Sequence, residues 1–225
     1  MRKLHGNPWA VLLVVSLGFF MTLLDLTIVN IAIPNLITKL HASLDDVLWV
    51  INAYALVLAV LVITAGRLGD LIGPRIMFMS GVAVFTAASA ACGLAPSPGA
   101  LIGFRAVQGL GAAMLMPQTL TIITNTFPPE RRGAAFGVWG AVAGVATIAG
   151  PTLGGLLVTA FDWRWIFFVN LPIGLCVLLV TPLIMPSWDI TSGVRGPVLP
   201  AFRQRRILNM LSRSMPWAMR IMRKP

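Results

Sequence analysis

The stretch WAVLLVVSLGFFMTLLDLTIVNIAI, residues 9–33, decides the fold class. It holds a single ionisable side chain, Asp25, and it exceeds the length of about 20 mainly apolar residues that a helix needs to cross a bilayer. The basic start at Arg2 and Lys3 is typical of a secretory signal, but the apolar run continues to Ile33 without a small-residue cleavage pattern. The run therefore predicts a retained membrane-spanning helix.

Further runs of the same kind predict an all-α integral membrane protein with six transmembrane helices. The predicted spans are residues 9–33, 47–65, 76–95, 100–123, 133–160 and 165–184. The chain is 57% hydrophobic and 11% charged, whereas an ordinary soluble domain carries about 25% charged residues. Because so few ionised groups cannot cover a surface in water, residues 1–184 are expected to form a helix bundle whose outer face contacts the lipid bilayer.

The formal net charge of +10 indicates orientation in a membrane. A basic soluble domain would suggest a nucleic-acid partner, but here the charges lie in short clusters between apolar runs, so no nucleic-acid partner is expected. The clusters on one side hold Arg2, Lys3, Arg67, Arg75, Arg131 and Arg132, and those on the other hold Lys39 and Arg164 beside Asp45, Asp46 and Asp162. The side richer in Lys and Arg is normally cytoplasmic, which places the N-terminus and the C-terminal tail in the cytoplasm.

Residues 185–225 form a basic tail of different character. Its charged residues are Asp189, Arg195, Arg203, Arg205, Arg206, Arg213, Arg220, Arg223 and Lys224. Two interpretations stay open. The tail is either a disordered segment, or it holds a short interfacial helix at residues 207–211 that binds anionic lipid.

Two ionisable residues lie well inside the apolar runs, Asp25 in the first and Arg105 in the fourth. Each costs about 2.5–3.5 kcal/mol at the bilayer centre on insertion scales, so such residues usually face the bundle interior and carry function. Asp25 is a candidate for taking up and releasing a proton, with a structural carboxylate held by a permanent partner as the alternative. For Arg105 the alternatives are a static pair or a side chain that snorkels to the membrane edge.

Glycine and proline are concentrated in two places. The fifth span contains Gly137, Gly140, Gly144, Gly150, Pro151, Gly154 and Gly155. Small residues permit close helix contact, and Pro151 is expected to kink the helix, which suits either a seal between moving parts or simple packing. Residues 66–75 are expected to form a short connection in which Gly73 adopts positive φ and Asp70 caps a helix or pairs with Arg75, with a plain tight turn as the alternative.

Enzyme chemistry is not indicated. His5 and His41 are far apart in sequence, and no nucleophile–base pair, metal cluster or phosphate loop is evident, so no cofactor or metal is expected. Cys92 and Cys176 lie in apolar runs and are interpreted as small packing residues.

The motifs in residues 9–184 resemble the major facilitator superfamily, and more narrowly its fourteen-helix drug/proton antiporter branch. The first-helix motif is Asp25, Thr27, Asn30, Ala32 and Pro34, and the loop motif is Gly66, Asp70, Gly73 and Arg75. The fourth-helix motif is Leu101, Arg105, Gln108, Gly109, Gly111, Ala112 and Ala113, and the antiporter motif is Gly137, Gly150, Pro151, Gly154 and Gly155. Asp162–Trp163–Arg164–Trp165 and Asn170–Leu171–Pro172–Ile173–Gly174 resemble the start of the branch's sixth helix. The sequence departs from the pattern at Leu71, Pro74 and Ala146 and in the tail, which does not resemble the family's next segment.

The resemblance implies alternating access between two six-helix bundles, of which this chain would be the N-terminal half. It implies export of a hydrophobic or cationic compound in exchange for protons across a bacterial inner membrane. Asp25 and Arg105 would be linked to the proton, Gly150 and Pro151 would limit leakage, and Asp70 would latch the cytoplasmic gate. With one bundle in the sequence, three interpretations stay open: an inactive truncated product, a half-transporter that pairs with itself or with another half, and a membrane scaffold.

Overall fold

The computed structural model describes residues 7–185, and within that range the regular structure consists of helices without strands. Six of these helices are long and apolar enough to cross a membrane, which confirms the predicted fold class. They are α1 (Pro8–Lys39), α2 (Leu44–Ile72), α3 (Pro74–Gly93), α4 (Pro98–Thr126), α5 (Pro129–Ala160) and α6 (Trp165–Ile184). The expectations for residues 1–6 and for the tail from residue 186 lie outside the described residues.

Polar caps and prolines set most of the helix starts, which lie between one and four residues before the starts of the apolar runs for α1 to α5. The side chain of Asn7 accepts a hydrogen bond from the amide of Trp9 at 3.0 Å and so caps α1. Ser43 and Asp46 form a reciprocal capping box at the start of α2, and Ser97 caps α4. Such caps satisfy amide groups that have no partner in the first turn, so a polar residue can begin a helix that continues into lipid.

Within α1, a 3-10 segment at Val29–Ala32 interrupts the α-helix. Pro34 follows directly, and proline removes an intrahelical donor and crowds the preceding turn, which gives a local reason for the change. The Thr27 hydroxyl donates to the carbonyl of Leu24 at 3.0 Å, and the Asn30 amide donates to the carbonyl of Leu26 at 3.1 Å. These side chains satisfy backbone carbonyls at the transition without water.

The expected connection at residues 66–75 is wrong for most of its length, because α2 continues to Ile72. The reversal takes place at Gly73 alone, whose φ of 98° confirms the expected positive value. Asp70 lies in the last turn of α2 and makes no ion pair within the described part of the chain. It therefore caps no helix N-terminus, and Arg75 donates instead to the carbonyl of Pro182 at 3.5 Å.

Two glycines in the connection motif face α4, which explains why the helix continues. A Cβ at Gly66 would lie 3.5 Å from the Cβ of Pro117. At Gly69 the side chain of Gln118 occupies the space of a Cβ and donates to the carbonyl of Ala65 at 3.2 Å. These glycines therefore allow close contact between helices and do not mark a loop.

The bundle is organised around α4, which packs most extensively against α2 and α3, while α1 packs against α5 and α6. Backbones approach closely where α3 meets α4. A Cβ at Gly111 would lie 2.5 Å from the backbone nitrogen of Phe85, and a Cβ at Gly81 would lie 2.8 Å from that of Leu115. Because backbone atoms cannot move aside as a flexible side chain can, these positions admit only glycine without a shift of the helices.

Contacts between connections tie each end of the bundle together. At one end, the rings of Trp9 and Phe127 meet at 5.4 Å between centroids. At the other end, Lys39 and Asp162 form an ion pair at 3.4 Å. Arg164 donates to the carbonyl of Ala95 at 3.3 Å, so this end joins the connections that follow α1, α3 and α5.

We expect Gly111→Ala to destabilise the bundle, because the added methyl group meets the backbone of α3; overpacking of this kind typically costs about 1–3 kcal/mol. The matched control is Gly103→Ala on the same helix, where no described atom lies within 4 Å of the new Cβ. The control should be neutral or more stable by about 0.5–1 kcal/mol, since alanine favours helix over glycine. Thermal unfolding of both purified variants in detergent measures the difference, and equal midpoints would contradict the close approach of α3 and α4.

Candidate functional site

The two ionisable residues found in the apolar runs meet in the centre of the bundle. Arg105 of α4 donates through Nη1 to Oδ2 of Asp25 on α1, and both side chains are buried, with 1% and 0% of their surface exposed. A buried ion pair must gain enough from mutual attraction and further hydrogen bonds to offset the loss of both hydration shells. The partners around the pair therefore decide whether it is held.

Gln108 lies one turn after Arg105 on the same face of α4 and completes the pair. Its Nε2 donates to Oδ1 of Asp25 at 2.9 Å, and its Oε1 accepts from Nη1 of Arg105 at 2.8 Å. Cys92 of α3 also donates through its thiol to Oε1 at 3.6 Å. The NH2 group of Gln108 thus faces the carboxyl group of Asp25, and its carbonyl oxygen faces the guanidinium of Arg105.

Arg105 is fixed by α2 as well, which overturns the alternative that it snorkels to the membrane edge. Its Nε donates to the carbonyl of Val50 at 3.1 Å, and its guanidinium carbon lies 4.4 Å from the centroid of the Tyr54 ring. Gly109 permits this contact, because a Cβ there would lie 2.5 Å from the carbonyl oxygen of Tyr54. The charge is therefore satisfied inside the bundle, by a carboxylate, two carbonyl oxygens and an aromatic face.

Asn170, at the start of the long segment of α6, is a member of the site that the sequence analysis missed as a functional residue. Its Nδ2 donates to Oδ1 of Asp25 at 3.3 Å and to Oγ of Ser89 on α3 at 3.1 Å. The Ser89 hydroxyl donates in turn to the carbonyl of Phe167 at 2.9 Å. The signal was present in the sequence: Asn170 is an amide within an apolar run, which is the criterion that singled out Asp25.

The carboxyl group of Asp25 is surrounded by hydrogen-bond donors. Its carboxylate accepts from Arg105, Gln108 and Asn170, and a carboxylate is an acceptor without a proton to donate. A proton on Asp25 would remove negative charge from beside Arg105, whose guanidinium stays charged at any relevant pH. The contact between α1 and α4 at this point therefore depends on the attraction between the Asp25 carboxyl group and Arg105.

The antiporter-motif glycines fall into two groups. Gly150 and Gly154 pack against α1: Thr27 occupies the space of a Cβ at Gly150, and a Cβ at Gly154 would lie 2.9 Å from the side chain of Ile28. At Gly137 and Gly155 no described atom lies within 4 Å of the Cβ position. The α5 helix continues through Pro151 to Ala160, so the motif combines a tight contact with an open face.

The remaining predicted residues do not join the cluster. Gly66 contacts α4, Asp70 lies in the last turn of α2, and Gly73 and Arg75 lie at the junction of α2 and α3, at the end of the bundle that holds the start of α1. Gly111 serves the packing of α4 against α3.

A cavity of about 270 Å³ lies between α1 and α5 and is open to the outside, since Leu13 and Val145 in its lining are 65% and 59% exposed. It is lined by Leu13, Ser16, Leu17, Phe20, Val142 and Val145. Its walls are almost entirely apolar, which is the usual character of a site for a hydrophobic small molecule. The hydroxyl of Ser16 is buried and has no hydrogen-bond partner within residues 7–185.

Comparison with known proteins agrees with these features. The sequence profile described as Major Facilitator Superfamily matches residues 15–217. An uncharacterised MFS-type transporter of Mycobacterium tuberculosis is 48% identical over 80% of this chain and 31% of its own length. The tetracenomycin C resistance and export protein of Streptomyces glaucescens is 48% identical over 81% of this chain and 34% of its own length. The chain thus spans about a third of the length of the curated relatives it matches.

The fold also has a solved counterpart. The crystal structure of a bacterial homologue of the human lysosomal transporter Spinster, in an inward-facing and unoccupied conformation, superposes with a TM-score of 0.61 at 22% identity, over 79% of this chain and 42% of that one. This likeness supports the helix arrangement alone. The profile match, which extends over most of the sequence, and the six membrane-spanning helices show that the chain is a multi-pass membrane protein and belongs to the Major Facilitator Superfamily.

Proposed function

We propose that the chain forms one half of a proton-coupled exporter, in which Asp25 carries the proton and Arg105 responds to it. The observation that carries this proposal is the fully buried contact of Asp25 with Arg105 and Gln108. Burying two charges costs free energy, and apolar side chains of similar size would hold the helices together at least as well. The presence of the pair therefore supports a role beyond packing. A carboxyl group whose charge holds two helices together can link proton uptake to helix movement.

The exported compound is hydrophobic or cationic. The apolar cavity between α1 and α5 supports a hydrophobic substrate, since its lining offers contact area and almost no polar surface. The relative from Streptomyces glaucescens, named for resistance to tetracenomycin C and its export, supports drug-like substrates in the same way. This is the chemistry of the antiporter branch that the motifs resemble.

A second six-helix bundle completes the transport path. In the most apolar 18-residue stretch of each helix, 22% of α2 and 17% of α5 is buried within the described bundle, whereas 67% of α1 is buried. Large side chains such as Leu56, Val60 and Ile63 of α2 are more than half exposed. We propose that this bundle pairs with a second copy of the chain or with another half, and the distribution of Lys and Arg supports a cytoplasmic orientation of both termini in a bacterial inner membrane.

The first test is efflux of a lipophilic cationic dye driven by a proton gradient, in cells that express this chain alone. We expect dye extrusion, and we expect Asp25→Asn to abolish it, because asparagine is of similar shape but cannot be protonated. The matched control is Asp45→Asn, which changes an exposed acid at the start of α2 and should extrude dye like the parent chain.

Membrane localisation of each variant is measured alongside. Loss of extrusion in both acid variants would point to a general defect and not to the proton site. Extrusion that survives Asp25→Asn would contradict the proposed role of Asp25. If the parent chain is present in the membrane and extrudes nothing, the proposal that it works as a paired half fails, and an inactive product or a scaffold becomes the better interpretation.

A second test addresses the antiporter motif. We propose that the contact of Gly150 with α1 limits proton leakage, and we expect Gly150→Ala to push α5 away from Thr27 and to increase leakage. Gly144→Ala is the control, since no described atom lies within 4 Å of its Cβ position on the same helix. Proton entry is followed with a pH-sensitive dye trapped in proteoliposomes. Equal leakage in the two variants would reduce the motif to a packing role.

A further inference from the structure

The side-chain carbonyl oxygen of Asn170 is an anomaly within the cluster. Asn170 is 0% exposed, and its Oδ1 is buried without a hydrogen-bond donor among the described residues. Leaving a buried acceptor without a donor costs about 1–3 kcal/mol. The NH2 group of the same side chain is fully used, since Nδ2 donates to Asp25 and to Ser89.

A protonated Asp25 would need a hydrogen-bond acceptor, and the carbonyl oxygen of Asn170 is an acceptor that is not in use. An ionised carboxylate accepts hydrogen bonds without donating any, but the acid form carries an O–H that needs an acceptor. The Gln108 carbonyl oxygen already accepts from Arg105 at 2.8 Å and from the Cys92 thiol at 3.6 Å. Two amide side chains contact Oδ1 of Asp25. Of these, Asn170 is therefore the one whose carbonyl oxygen is free to accept a hydrogen bond from the new O–H.

We propose that Asn170 is a positioning residue whose amide reverses with the proton on Asp25, a step that rests on the proton-carrying role proposed for Asp25 above. In the arrangement seen here, Nδ2 donates to the carboxylate. When a proton binds at Oδ1 of Asp25, the Asn170 amide turns by about half a rotation around its last side-chain bond. Its Oδ1 then accepts the Asp25 O–H, and Nδ2 leaves the carboxyl oxygen.

The reversal requires little space. Amide oxygen and nitrogen differ little in size, so an exchange of their places displaces no neighbouring atom. The helices are already packed closely beside this site, because Thr86 of α3 occupies the space of a Cβ at Gly174, one turn after Asn170. A side-chain rotation is therefore the response to a proton that the packing of α3 against α6 allows.

Among the titratable and charged groups around Asp25 within residues 7–185, Arg105 is the one that hydrogen-bonds to its carboxyl group, and a guanidinium cannot accept a hydrogen bond. The groups that face Asp25 are Arg105 on α4, Tyr54 on α2 and Cys92 on α3. Arg105 is a donor alone, and the Tyr54 hydroxyl donates to the carbonyl of Thr22 at 3.4 Å. The ionisable residues of α5 are Glu130, Arg131 and Arg132 in its first turn, and α6 contributes Cys176, which is exposed.

The consequence extends beyond Asp25. In the present arrangement one amide group links α6 to α1 through Asp25 and to α3 through Ser89. After the reversal the Asn170 carbonyl oxygen takes the place of Nδ2 beside Ser89, so the Ser89 hydroxyl turns to donate to it and leaves the carbonyl of Phe167. A proton that binds on α1 would thus change a hydrogen bond between α3 and α6, helices that do not carry the acid.

The test is infrared difference spectroscopy of the full chain in lipid nanodiscs as the pH is lowered. It follows two bands: the carboxylic acid C=O stretch of Asp25, assigned by its loss in Asp25→Asn, and the side-chain amide band of Asn170, assigned by its loss in Asn170→Leu. We expect both bands to change at the same midpoint pH. In Asn170→Leu the acid band should shift to higher frequency, because the O–H has lost its acceptor.

Ser89→Ala is the control, since it removes a partner of Nδ2 and leaves Oδ1 in place, so the acid band should keep its frequency. If Asn170→Leu does not fold, Asn170→Ala provides the same loss of the acceptor with a smaller side chain. An acid band that is unchanged in the folded Asn170 variant, or an amide band that does not follow pH, overturns the role of Asn170 alone. The absence of any Asp25 acid band in the parent chain would instead contradict the proton-carrying role of Asp25.

Discussion

The buried ion pair of Asp25 and Arg105 is the constraint on which the rest of the bundle depends. Removing one partner of a buried pair typically costs about 3–5 kcal/mol, because the remaining charge has no compensation. The pair is held only if every remaining donor and acceptor is satisfied. That requirement explains why Gln108 contacts both charges, why Val50 supplies a carbonyl oxygen, and why Gly109 lets the backbone of α2 come within reach of α4.

Glycines divide the bundle into a sealed interior and an open surface. Gly81 on α3 and Gly109 and Gly111 on α4 lie against backbone atoms, so they fix the separation of the helices that surround the ion pair. On α5, Gly150 and Gly154 lie against side chains of α1, while Gly137 and Gly155 face open space. Helices that are tightly joined on one face and uncovered on the other suit a unit that moves as a rigid body against a second unit.

Most of the fold follows from the sequence, but its details depend on interactions that hydropathy does not record. The length of each apolar run is enough to predict six spans. The true end of α2 was missed because Arg67 and Asp70 lower the local hydropathy while the backbone stays helical as far as Gly73. The same limit applies to the site. Asp25 and Arg105 stood out as charges in apolar runs, but they are 80 residues apart, and their pairing depends on how α1 and α4 pack. Asn170 lacks a charge and was not singled out, although it contacts the same carboxylate.

The composition of the cluster determines which of its members can change state. A guanidinium remains charged at any relevant pH, and the amides of Gln108 and Asn170 do not titrate, so Asp25 is the member that can respond to a proton. Every contact it makes comes from a donor, and all of these contacts are stronger with the ionised form. If Asp25 carries a proton as proposed, proton uptake and the contact between α1 and α4 would be linked, and the link would act in both directions. Under the proposed role, this link would need no contact with a substrate, because every group that takes part in it belongs to this bundle.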